Sequence, residues 1–218
     1  MRSAFDMHPP LIGITGTWYH AATRGYPGRM LRVTSRGRRL SASGLARSRF
    51  NPGDFHGDGT GFETLYLALN RETALFEKRA QFGDPYGSPS ALVVASRIKN
   101  TTVVSVDVNL DAVLDLSDIG THALLDTNAQ EITGDWIGYE KRGLGLAPPL
   151  GVLTAPTGLA PTQQLAWDLS QNPGVKGIIS ISAKVPTTCC LVVFTHTMQA
   201  SDSLSWDDPN TGRRESYP

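Results

Sequence analysis

The sequence predicts an α+β fold built mostly from antiparallel sheets with flanking helices. Two observations carry that prediction. Segments rich in β-branched and apolar residues recur at 64–69, 91–95, 102–108, 112–116, 177–183 and 190–195. Helical signals are few, and they do not alternate regularly with these strands as a parallel βαβ fold requires.

Residues 1–29 mix His, Pro, Gly and Arg with little periodicity and read as an irregular extension, with a short apolar piece at 11–14. A short strand is expected at 30–34. The basic, Ser-rich stretch 35–49 reads as a loop. Asn51-Pro52-Gly53-Asp54 has turn chemistry. The Gly/Asp stretch 56–61 precedes a strand instead of following one and opening a helix, so it lacks the context of a dinucleotide fingerprint. Asn70 is a suitable N-cap for a helix over 71–81. Residues 121–143 are partly helical in pattern, and 143–161 is Gly- and Pro-rich and reads as a loop. An amphipathic helix is expected over 162–170, with Pro161 at its start and Asn172-Pro173-Gly174 stopping it. The tail from 198 is polar and Ser/Asp-rich, which predicts a flexible end. The expected organisation is therefore an extension at 1–29, one domain at 30–197 and a tail at 198–218.

Composition narrows function. The 218 residues carry 20 Lys plus Arg against 20 Asp plus Glu, a formal net charge of zero. Direct nucleic-acid binding needs a basic excess, so it is not expected. The only cysteines, Cys189 and Cys190, are adjacent in an apolar run. A buried, reduced pair is expected, which fits a cytoplasmic protein. No apolar run reaches the roughly 20 residues of a membrane helix. There is no HExxH, Walker loop, GxSxG elbow or Cys/His ligand cluster, so no metal is expected.

Polar residues on structured segments remain: Arg32, Arg49, Tyr66, Glu77 and Ser182, in that order. Ser48-Arg49-Phe50-Asn51-Pro52-Gly53 is similar to the Gly-Arg-Trp-Asn-x-x-Gly of the RES domain. Leu65-Tyr66-Leu67-Ala68 with Ala74-Leu75-Phe76-Glu77 is similar to its strand tyrosine and helix glutamate. Pro161-Thr162-Gln163, through Gly177 to Ser182-Ala183-Lys184, is similar to its late Gly-x-x-x-x-Ser-Ala-Arg strand. Val113-Leu114-Asp115-Leu116-Ser117-Asp118 is similar to its central Leu-Asp-Leu-Thr-Asp. The chain therefore resembles the RES domain family over about 30–194. It departs in having Phe50 for Trp and a longer stretch between Arg49 and Tyr66. Arg24 or Arg29 compete with Arg32 for the first arginine. Ser180 competes with Ser182: strand alternation puts both on one side, and the motif favours Ser182.

The resemblance implies a compact core like that of ADP-ribosyltransferases and the toxin half of a toxin–antitoxin pair. It implies an activity that degrades NAD, by hydrolysis or phosphorolysis of the nicotinamide–ribose bond. NAD is then a substrate, and no cofactor is needed. Cleaving that bond builds oxocarbenium character on the ribose, for which a carboxylate at Glu77 is suited. Guanidinium groups at Arg32 and Arg49 suit a diphosphate. Tyr66 supplies a stacking ring, Ser182 a hydroxyl, and Asn51 a further substrate contact. An Xre-type antitoxin is the implied partner, with room for a homo-oligomer. Transfer of ADP-ribose to a macromolecule, or NAD binding without turnover, would use the same pocket.

Overall fold

The computed structural model describes residues 9–23, 31, 39–41, 44–45, 48–53, 61–78, 100–134, 136, 159–208 and 211–218. The expected strand at 91–95, the stretch 54–60 and most of the segments 30–34 and 143–161 lie outside these residues. Of the 30–34 segment, Leu31 is described and lies outside any strand.

The strands are β1 (Leu11–Thr23), β2 (Arg39–Ser41), β3 (Gly44–Leu45), β4 (Leu65–Ala68), β5 (Thr101–Leu116), β6 (Gly177–Ile181), β7 (Cys189–Val193), β8 (Ser203–Asp207) and β9 (Arg214–Tyr217). The helices are α1 (Arg71–Glu77), α2 (Ile119–Leu125), α3 (Ala129–Thr133) and α4 (Pro161–Ser170). The fold is α+β. Seven strands form one sheet in the order β1-β4-β7-β6-β5-β8-β9, antiparallel throughout except for the parallel β5–β6 pair. Pairing of β1 with β5 closes a circuit of five strands.

The long β5 was expected as two strands and is one, because its apolar alternation runs unbroken from Val104 to Leu110 and its pairing with β1 continues to Leu114. Val104, Val106, Val108 and Leu110 are buried, while Ser105, Asp107, Asn109 and Asp111 face solvent. At Val113 and Leu114 successive residues are both buried. Here the strand leaves its solvent-facing half and pairs with β6, from Val113↔Gly177 to Leu116↔Ser180. Gly177 is required at this junction, since a Cβ would collide with the Val192 carbonyl.

Both faces of the β4–β7–β6 region are covered. Inside the circuit, Leu65, Leu67, Ile179, Leu191 and Val193 pack with Trp18 of β1 and Val106 of β5. On the other face, Ile178, Val192, Leu114 and Leu116 pack against Leu125 of α2, Ile132 of α3 and Leu165 and Leu169 of α4. Strands buried on both sides read as continuous apolar runs, which is why β6 and β7 were plain in the sequence.

Three expectations are corrected. The N-terminal segment is not an irregular extension: β1 pairs with β5 along its length, from Leu11↔Leu114 to Thr23↔Thr101. Its outward polar residues find partners across the ladder, with Thr15 and Thr17 donating to Asn109 and Asp107 at 3.1 and 3.0 Å. The basic stretch contains a small hairpin, β2–β3. The tail is not flexible: β8 and β9 join the sheet, with Leu204 and Trp206 buried in the inner core. Alternation in Ser203-Leu204-Ser205-Trp206-Asp207 outweighs its polar composition. A buried Lys176–Asp202 pair, 3.7 Å apart, anchors the start of that tail. Lys176 also donates to the carbonyls of Pro173 and Thr197 at 2.7 and 2.8 Å, so the buried charge has hydrogen-bond partners.

No helix among the described residues is long and apolar enough to cross a membrane. Cys189 is partly buried and Cys190 buried, both as free thiols.

Candidate functional site

The site is built where α1 meets the end of β6. Asn70 caps α1, its Oδ1 accepting the Thr73 N–H at 2.8 Å. The helix ends at Glu77, with Lys78 as its C-cap; the expected continuation over 79–81 lies outside the described residues. Ala74 packs with Ala21, Ala68 and Cys190, and these small side chains let the helix sit close to the sheet.

Ser182, just past β6, donates its hydroxyl to Glu77 Oε1 at 2.5 Å. The same hydroxyl oxygen accepts the N–H groups of Lys184 and Val185 at 3.2 and 3.0 Å. With these bonds Ser182 holds the turn and orients Glu77. Ser180 instead donates to the Ile181 carbonyl at 3.1 Å. Alternation left the two serines equivalent; the structure brings Ser182 to the glutamate.

A second link docks α1 on the same turn. Thr188 Oγ1 donates to the Val185 carbonyl at 3.2 Å and lies 2.8 Å from Thr73 Oγ1. With the Thr188 proton engaged, Thr73 is the donor of that pair. Neither threonine is singled out by the sequence motifs; both become visible once α1 and the β6–β7 turn are juxtaposed.

Tyr66 projects from β4 on the face shared by its ladder partner Val192 and by Ile178. Its hydroxyl is 2.5 Å from Ser48 Oγ and accepts the Phe50 N–H at 3.1 Å. Burial, the dominant cause, pushes the phenol up to about 12, so it stays protonated at neutral pH. Cys190 lies between the two halves of the site. Burial first, and then the Glu77 carboxylate, raise its thiol pKa, and a bond to Ser182 opposes them. It is therefore a neutral thiol beside Glu77 rather than a nucleophile.

The loop 48–53 is held from several sides. Arg49 Nη1 donates to the carbonyls of Ile132 and Gly134 at 2.9 and 2.7 Å, tying the loop to the end of α3. Thr162 Oγ1 donates to the Arg49 carbonyl at 2.8 Å, and Gln163 Nε2 to the Ser48 carbonyl at 2.9 Å. The Thr162-Gln163 part of the late motif thus supports the early one. Arg49, expected to meet substrate, is placed with its Nη1 on the Ile132 and Gly134 carbonyls, so it also holds the loop.

Asn51 differs from expectation. It is 1% exposed, and its Nδ2 donates to the Phe62 carbonyl and Thr64 Oγ1, each at 3.0 Å. Its Oδ1 accepts the Gly53 N–H at 2.8 Å, and Gly53 adopts φ +66° to close the turn. Asn51 is a buried scaffold for the loop rather than a substrate contact. Asn51→Ala would leave buried partners unsatisfied and is expected to cost about 3 kcal/mol, measurable as a shift in the denaturant midpoint.

His20 of β1 closes the back of the site, with Nδ1 2.8 Å from the Tyr66 carbonyl. Its pKa is lowered below 6.5, chiefly by burial, against the opposing effect of the Tyr66 bond. The unfolded chain therefore takes up this proton at a higher pH than the folded one. Stability is expected to fall as pH drops through 6.5 toward the folded value. Chemical denaturation between about pH 7.5 and 5.5 reads this, and His20→Gln should flatten the profile. The central motif is structural: Asp115 Oδ1 accepts from Ser117 N and Oγ, and Asp118 caps α2 through Thr121 N at 2.8 Å.

Arg32, Arg24 and Arg29 lie outside the described residues. Among the described residues, no group of three or more His, Cys, Asp or Glu side chains is placed to hold a metal ion.

The family model for the RES domain matches residues 17–211. The chain belongs to the RES domain family. Its match extends past both boundaries expected from the sequence, into β1 and through β8, in agreement with the pairing of these strands to β5. No curated protein matches this RES-domain chain. It is similar to a solved structure described as the M. tuberculosis MbcT–MbcA toxin–antitoxin complex. That likeness has a TM-score of 0.48 and 18% identity, covering 91% of this RES-domain chain and 84% of the other.

Proposed function

We propose that this RES-domain protein is a toxin that cleaves the nicotinamide–ribose bond of NAD inside the cell, with an antitoxin of the Xre type as its partner. The observation that carries the reading is the Glu77–Ser182 pair, with the carboxylate held at 2.5 Å on the same side of the sheet as Tyr66. As the C–N bond breaks, its electron pair goes to the nicotinamide ring, which leaves neutral, and positive charge develops on the ribose. Glu77, oriented in advance, stabilises that charge without reorganising. Water or phosphate then attacks the anomeric carbon and gives up its proton, forming ADP-ribose or its 1″-phosphate. The Tyr66 ring provides a stacking surface for a planar heterocycle, and Arg32 a charge partner for the diphosphate.

The test is to incubate purified protein with NAD, with and without phosphate, and to follow free nicotinamide. Release only with phosphate would mark a phosphorylase, and release in both conditions a hydrolase. Label from adenine-labelled NAD remaining on a macromolecule would mark a transferase. No nicotinamide from a folded sample under either condition would overturn the reading.

A further inference from the structure

Glu77 occupies a position that its own helix does not favour. It is the last residue of α1, where the helix dipole opposes a carboxylate, and no basic residue lies in that last turn. At seven residues α1 is also too short to hold its end by helical hydrogen bonds alone. Contacts outside the helix must fix the carboxylate. The turn 182–188 supplies them, and it is braced within itself. The Ser182 N–H donates to the Thr188 carbonyl at 2.9 Å, the Thr188 N–H to the Val185 carbonyl at 3.0 Å, and the Val185 N–H to Ser182 Oγ at 3.0 Å. Ser182 and Thr188 are thus two points on one braced unit.

Helix α1 meets both points. Thr73 and Glu77 are four residues apart and share one face of the helix. Glu77 reaches Ser182 at 2.5 Å, and Thr73 reaches Thr188 at 2.8 Å. A single contact would leave the helix free to pivot about it; two contacts one turn apart fix its direction. Thr73 is fully buried, a place where valine would fill the same volume without needing a hydrogen-bond partner. We infer that Thr73 and Thr188 are positioning residues for the reaction, a clamp that holds α1 on the turn at the angle that seats the Glu77 carboxylate on Ser182. This rests on the role proposed for Glu77 above.

The test uses the double variant Thr73→Val/Thr188→Val, which keeps the shape of both side chains and removes both hydroxyls. Neither partner is then left unsatisfied, and the Val185 carbonyl keeps the Thr188 N–H, so the melting temperature should stay close to that of the wild type. The kcat for nicotinamide release is expected to fall about tenfold with KM within about twofold, the effect of a small misplacement of a reacting group. In a Glu77→Gln background the same pair should change kcat by less than about twofold, because no carboxylate remains to be seated. Thr73→Ser, which keeps the hydroxyl, should retain nearly the wild-type kcat. An unchanged kcat in the folded double variant would overturn the inference and leave the proposed reaction standing. An equal loss in the Glu77→Gln background would overturn it as well, since the threonines would then act elsewhere. If the double variant does not fold, Thr73→Val compared with Thr73→Ser decides by the same kcat criterion. If the folded wild type releases no nicotinamide, the proposed reaction fails, and the clamp is read from the melting temperatures of Thr73→Val, Ser182→Ala and their combination. Non-additive losses would support the clamp, and additive losses would overturn it.

Discussion

Glu77→Gln is expected to lower the rate of nicotinamide release by about 10²–10³-fold, the usual cost of removing one group that stabilises developing charge in a preorganised site. The substitution keeps the size of the side chain and an oxygen able to accept from Ser182, so the melting temperature should stay close to that of the wild type. The fall should appear in kcat, because the negative charge matters only as the ribose becomes cationic. Single-turnover nicotinamide release with NAD in excess over KM measures this directly. Turnover retained in a folded Glu77→Gln protein would remove Glu77 from the chemistry. In cells, the same substitution should abolish any growth arrest caused by expressing the wild-type chain.

Ser182→Ala should affect both activity and stability. The hydroxyl supplies the donor to Glu77 and the acceptor for two backbone N–H groups. Its removal leaves the N–H groups of Lys184 and Val185 without that partner, at a cost of about 2 kcal/mol. It also releases the carboxylate from its fixed direction, for which a further loss of about 10–100-fold in kcat is expected, since small misplacements of a reacting group carry penalties of that size. Ser182→Thr, which retains the hydroxyl, should recover much of the rate if the methyl is accommodated. If Ser182→Ala instead raised KM alone, the hydroxyl would be a ground-state contact with substrate and not the positioning residue that its bonding implies.

How far the site was legible depended on the range of each interaction. The Asn70 cap acts over three residues, and its chemistry is written locally. Tyr66 and Glu77 belong to one strand–helix unit, β4 and α1, joined by a short connection. Ser182 is 105 positions from Glu77. The motif named it, but alternation could not separate it from Ser180, because a two-residue period reports which face a side chain occupies and not what it reaches. The roles of Arg49 and Asn51 were hidden for a related reason. An arginine and an asparagine in a motif look alike whether they meet a ligand or hold a loop, and only partners such as the Ile132, Gly134 and Phe62 carbonyls decide.

The sequence by itself determined the α+β class, the buried strands β6 and β7, the capped helix α1 and the order of motif residues. The first three rest on local periodicity, capping or composition, and the motif order on the resemblance to the RES domain. The tertiary structure alone decided that β1, β8 and β9 belong to the sheet, because their stability comes from pairing, β1 and β8 with β5 and β9 with β8. It also decided which serine holds Glu77 and which threonines dock α1 on the β6–β7 turn. Those contacts are set by register between strands far apart in the chain, and a hydrogen bond requires its two atoms within about 3 Å, a distance that no single-chain pattern encodes.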